Sequence, residues 1–171
     1  MRTLLLALLL LLSCASRAQE QEAEWWNYET LHADHPVVVR VDMGLRRQFP
    51  ISGFPYVVVT RLSYASDRSD GLPAQSDQDR LDAIADAVAA AIAHKTRSIH
   101  AGSASSQGQQ ESYVYVIDPN GLEALAASVA GKLCKECQVR VKVRADAAWA
   151  LYRDELLPDA QTRQRYGLRA Y

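Results

Sequence analysis

The chain has 171 residues, 49% of them hydrophobic and 23% charged, with a formal net charge of −1. That length and composition fit one globular unit with a core of useful size, and they exclude a collagen-like or low-complexity chain. A charge so close to zero supplies no whole-chain field to draw in nucleic acid or an anionic membrane.

The opening "MRTLLLALLLLLSCASRAQE" joins a basic Arg2 to an apolar run from Leu4 to Leu12 and a small-residue exit. This is the pattern of a secretory signal peptide, and the run is too short for a typical spanning helix. Ser16 and Ala18 put small side chains where a signal peptidase must accommodate them, so cleavage after Ala18 is expected. Removing residues 1–18 discards Arg2 and Arg17 and takes the net charge from −1 to −3. A lipoprotein is the alternative. Leu11-Leu12-Ser13-Cys14 resembles a lipobox with Cys14 as the lipidated residue, although Leu12 fits less well than a small residue before Ser13. Export places the chain in the periplasm or outside the cell, and membrane contact is expected only through a lipid on Cys14. Either way Cys134 and Cys137 remain, a close pair in an oxidising compartment.

The domain is expected to start near Trp25, Trp26 and Tyr28, which are costly to leave in water. "HPVVVRVD" and "FPYVVVTRLS" predict strands over Val37 to Asp42 and Tyr56 to Ser63, both β-branched and bounded by Pro or Gly. Ser76 followed by Asp79 reads as a helix start. Leu81, Ile84, Val88 and Ile92 then recur at helical spacing up to His94-Lys95. "RSIHAGS" and "ESYVYVID" are the next strands, with "ASSQGQQ" as a flexible loop between them. Asp118 and Pro119 open a second helix with a stripe of Leu122, Leu125, Val129 and Leu133. Gln138 to Arg144 alternates valine with Arg or Lys, the period of a strand. Asp146 caps a third helix striped by Trp149, Tyr152 or Arg153, and Leu156, and Pro158 ends it. One α+β domain is thus expected over residues 19–160, with a flexible basic tail over 161–171. Without the first strand the order is βαββαβ, the unit of a ferredoxin-like sandwich with an antiparallel sheet and two helices on one face. The first strand and the third helix are additions to it.

"EWWNY", "DGLPAQSDQDRLDAIADAV" and "DAAWALYRDELLPD" resemble the bacterial family known as domain of unknown function 695, over about residues 24–160. The closing Asp-x-x-Trp with its Leu-Pro is also similar to the regulator of ribonuclease E activity, protein B. That likeness implies a ferredoxin-like, non-enzymatic protein that works by binding a partner. The leader peptide separates this chain from a cytoplasmic ribonuclease, and the Cys-x-x-Cys lies outside both resemblances. The first family brings no established activity.

Cys134-Lys135-Glu136-Cys137 is the most chemical of the motifs. A reactive thiol is favoured at a helix N-terminus, whereas this pair follows a helix and meets its negative end. A zinc site needs about four ligands, and His32, His35, His94 and His100 lack finger spacing to the pair. A disulfide pinning the turn is therefore expected, with no metal or cofactor. His32, Asp34 and His35 form a weak metal pattern that a surface turn explains equally well.

With Val139, Val141 and Val143 inward, Arg140, Lys142 and Arg144 form a basic line outward. Arg40 and Arg61 are expected to join it, with Tyr113 or Tyr115 nearby. Cations among aromatics on an open sheet suit RNA, but a charged edge strand that deters aggregation gives the same pattern. Export and negative charge favour the second. No nucleophile elbow, phosphate loop or carboxylate pair is legible. The reading is a non-enzymatic binding or regulatory module acting through contacts with another envelope protein. The alternative is a periplasmic enzyme or thiol-disulfide redox protein using Cys134 and Cys137.

Overall fold

The computed structural model describes residues 23–168, so the expected leader, its expected cleavage after Ala18 and Cys14 lie outside the described residues. Six strands form one sheet: β1 (Trp25–His32), β2 (His35–Asp42), β3 (Tyr56–Ser63), β4 (Ser98–Ser106), β5 (Gln109–Val116) and β6 (Gln138–Ala145). Their order is β1-β2-β4-β5-β3-β6, with every neighbouring pair antiparallel. Helices α1 (Gln75–Lys95) and α2 (Leu122–Leu133) connect β3 to β4 and β5 to β6. The four strands of the βαββαβ unit are thus ordered β4-β5-β3-β6, as in a ferredoxin-like sandwich. The expected α+β class is the fold observed. The N-terminal addition is a hairpin of two strands, because "WWNYETLH" forms β1 and extends the sheet beyond β4.

Both faces of the sheet are apolar and each carries its own core. Leu81, Ile84, Val88 and Ile92 of α1 and Leu122, Ala126 and Ala130 of α2 pack on Val58, Leu62, Val114 and Val116. On the opposite face Val39, Val41, Val57, Val59, Tyr113 and Tyr115 lie under Trp149, Tyr152 and Leu156. Trp149 is fully buried, stacked on Tyr115 with ring centroids 3.8 Å apart, and its indole N–H donates to the Phe54 carbonyl at 3.2 Å. The Tyr28 hydroxyl donates to the Leu156 carbonyl and the Tyr152 hydroxyl to the Asp42 carbonyl, each at 2.8 Å. Gly102 makes this approach possible: a Cβ there would lie 2.3 Å from the Arg40 carbonyl and 3.1 Å from Leu156 Cδ1.

Several local expectations are corrected. The first helix begins at Gln75 with Ala74 as N-cap, so Ser76 lies inside the first turn. Gly121, at φ 70°, starts α2 instead of Asp118, which accepts the Asn120 N–H. The α2 stripe runs Leu122, Ala126, Ala130, leaving Leu125 and Val129 half-buried and Leu133 exposed. Small residues face the sheet because they bring the helix axis close to it. The loop expected between the middle strands is a tight turn of Gln107 and Gly108, both at positive φ, as two-residue hairpins require. The third helix is a short π-helical turn, Tyr152–Leu156, ending before Pro158. Its N-cap is Leu151 and not Asp146, whose carboxylate accepts the Ala150 and Leu151 N–H groups just before the turn. Part of the expected flexible tail is regular: α3 (Ala160–Arg165) is capped by Asp159 and clasped to β1 through Thr162–Thr30 and Tyr166–Glu29.

Trp149→Ala should cost about 3–5 kcal/mol, because it empties the centre of one core and unstacks Tyr115. Denaturant unfolding followed by circular dichroism measures this, and a loss within experimental error would show that Trp149 does not anchor the segment.

Candidate functional site

Among the described residues, the segment from Trp149 to Leu156 and the β2–β3 connection, through Met43, Leu45 and Phe54, cover the face opposite the helices in part. Register shows what remains open. One row of paired residues runs Arg140, Arg61, Glu111, Ala104, Val39, Tyr28 from β6 to β1. The charged half lies over β6, β3 and β5, and the apolar half over β4, β2 and β1.

Over the apolar half opens a cleft of about 400 Å³. Its floor is Tyr28, Val37, Val39, Ala104 and Tyr113; Glu155, Leu157 and Asp159 form one wall, and His32 and His35 stand at the mouth. Three of the carboxylates around it are engaged. The Tyr113 hydroxyl donates to Glu111 Oε2 at 2.8 Å, and the Arg61 guanidinium holds Glu111 Oε1, with Nε at 2.6 Å. Burial, reinforced by Glu111, pushes the Tyr113 phenol well above its ordinary range, so it stays a neutral donor. Asp154 is held by both nitrogens of a guanidinium fork from Arg153, which lowers its pKa. Asp159 accepts the Thr162 N–H at 2.6 Å, and that bond lowers its pKa too. The His32 ring lies 3.9 Å from Glu155, both partly open to solvent.

The structure separates the expected basic group. Arg140, Lys142 and Arg144 do share one exposed face of β6, with Val139, Val141 and Val143 half-buried toward the helices. Arg61 sits beside Arg140 on that face but is clamped by Glu111. Arg40 does not join them. It alternates with Val39 and Val41 onto the helix side, pairs with Asp86 at 2.8 Å and lies over the Trp25 ring at 4.2 Å. Tyr113 and Tyr115 are buried, so neither offers a ring for base stacking. The histidines of the β1–β2 turn flank Ala33 and Asp34, both at positive φ, and the sharp hairpin accounts for this sequence. Sequence reasoning missed the cleft because His32, Glu111 and Glu155 come from three distant segments with no shared spacing.

Cys134 and Cys137 are bonded to each other, with Cα atoms 5.3 Å apart. Cys134 ends α2 and is fully buried in the helix-side core, and Arg80 bridges to Glu136 across the turn. Glu136 and the two sulfurs lie within 4.8 Å of one another, but the disulfide occupies the thiolates that a metal would need.

Two outcomes follow from these clusters. Replacing Cys134 by Ala together with Cys137 by Ser, which avoids burying a hydroxyl at position 134, should lower unfolding free energy by about 1–2 kcal/mol, since the closed loop is very short. Equilibrium unfolding tests it, and a several-fold larger loss would mean the bond does more than pin the turn. Hydrogen bonding to His100, then to Arg40, holds the Asp86 carboxyl at about 2, below its ordinary 3.8. A depressed folded pKa contributes stability that is present above the unfolded value and lost as pH falls through the folded one. The melting-temperature gap between the wild type and Asp86→Asn should therefore be steady above about pH 4 and close toward about pH 2. A gap unchanged across that interval would show that Asp86 is not the titrating group.

No curated protein and no solved structure matches the chain. Residues 23–157, from the start of β1 to the end of the segment that covers the second face, match the model of the family of unknown function DUF695. The match takes in every strand, both long helices and most of the cleft, and on this evidence the chain belongs to that family.

Proposed function

We propose that the chain is an exported, non-enzymatic binding module that acts through contacts with another envelope protein, and that the cleft receives part of that partner. One observation carries the reading: the Tyr113 phenol and three of the four carboxylates lining the cleft are already held by a neighbour. Tyr113 donates to Glu111, Arg61 clamps Glu111, Arg153 clamps Asp154, and Asp159 caps α3. Groups engaged in this way orient and rigidify a surface, whereas a general base needs a free lone pair aimed at a reacting proton. An apolar floor with a few fixed polar groups suits recognition. The volume of about 400 Å³ fits one or two side chains of a protein. The similarity of the closing Asp146, Trp149, Leu157 and Pro158 to the regulator of ribonuclease E activity, protein B, also favours a protein that binds. The leader supports export.

The redox alternative has less support. Cys134 is fully buried at the C-terminal end of α2, where no helix dipole stabilises a thiolate.

The test is affinity capture from an envelope extract by immobilised residues 19–171, beside Ala104→Trp, which fills the cleft floor. Wild type should retain a specific partner and Ala104→Trp should lose it, with both variants melting as folded proteins. Equal capture by the two would move the site elsewhere. Turnover in a hydrolase and oxidoreductase panel, abolished by Ala104→Trp, would replace binding with catalysis.

A further inference from the structure

We propose that the outer edge of β6 takes up an extended acidic segment of a partner protein as a seventh strand. This surface is separate from the cleft and does not depend on it.

β6 ends the sheet and has a strand neighbour on one side only. The Val143 N–H points away from β3, donating to Glu123 Oε1 of α2 at 2.8 Å. Backbone groups alternate sides along a strand, so the N–H and C=O groups of Val139 and Val141 point outward as well. Neither has a hydrogen-bond partner there among the described residues. The opposite edge differs: the outward Glu29 N–H of β1 is taken by the Tyr166 hydroxyl at 3.0 Å, beneath α3. The sheet thus has one covered edge and one open stretch, and Glu123 marks where that stretch stops.

The charge on β6 selects its occupant. Arg140, Lys142 and Arg144 are exposed at every second position and carry no ion pair among the described residues. A second copy of β6 would set cations against cations, and like charges across a strand pair are unfavourable. Carboxylates at alternate positions of an added strand would instead fall beside the three cations. Apolar residues between them would lie next to half-exposed Val139 and Val141. Backbone bonds supply the affinity of strand addition and alternate side chains supply its selectivity. The charge that deters self-association is therefore the charge that admits an acidic strand.

The experiment uses isotope-labelled residues 19–171 and a capped seven-residue peptide alternating Glu with Val. A peptide of the same composition with its Glu grouped, and one with Lys replacing Glu, are the controls. The alternating acidic peptide should bind and slow amide exchange at Val139 and Val141. Reversing Arg140, Lys142 and Arg144 to Glu should weaken it by about tenfold or more, as should Val141→Pro, which removes an outward N–H that β3 does not use. Ala104→Trp should leave peptide binding unchanged, so a failed edge and a failed cleft are told apart. Equal binding of the grouped-Glu peptide, or unchanged exchange at Val139 and Val141, would overturn strand addition. Concentration-dependent self-association lost on Val141→Pro would overturn the acidic occupant in favour of a second copy.

Discussion

The architecture rests on the burial of a strand pair that is apolar on both sides. β3 reads Val57, Val58, Val59 and β5 reads Tyr113, Val114, Tyr115, Val116, with no polar face to offer water. Two helices satisfy one side. The other needs a second cover, and the chain supplies it with Trp149, Tyr152 and Leu156 from one short segment, beside Met43, Leu45 and Phe54 of the β2–β3 connection. An unfilled second face would leave a contiguous apolar patch larger than soluble monomers expose. The stacking of Trp149 on Tyr115 and the bonds from Tyr28 and Tyr152 to backbone carbonyls hold that cover down, each phenol finding an acceptor as burial demands.

The cleft follows from the same arrangement. A helix laid along the sheet would have covered it end to end, but a π-helical turn of five residues cannot. The uncovered end of the face keeps its apolar floor toward β1 and its charged residues toward β6. α3, docked by Thr162 and Tyr166 onto β1, stabilises the far wall and covers the neighbouring edge. Cover and opening thus share one stretch of chain, and variants that loosen the first will reshape the second.

The helix-side layer was legible because its physics is periodic. The α1 stripe and the β6 alternation place their residues as read, and the βαββαβ order then limits strand order to few choices. Failures fall where periodicity is weak. In "HPVVVR" the apolar residues run on without alternating, so nothing in the text assigns Arg40 a side, and register with β4 and the Asp86 partner decide it. Ala126 and Ala130 look featureless, yet close packing prefers them to Leu125 and Val129. The segment after Asp146 has Trp149 at φ 55° and a widened turn, neither of which a helical period describes. The cleft is built from three segments brought together by strand order alone, and one sequence carries no trace of that.

Placing the second cover after β6 also orders events in time. A chain emerging from its N-terminus can complete all six strands and both long helices before residue 146 appears. Until then Val41, Val59, Tyr113 and Tyr115 lack Trp149, Tyr152 and Leu156, and share their core only with residues such as Met43, Leu45 and Phe54 of the β2–β3 connection. A nascent chain therefore passes through a stage with one finished layer and one incompletely covered apolar face awaiting about a dozen further residues, during which a holding chaperone has a defined surface to grip.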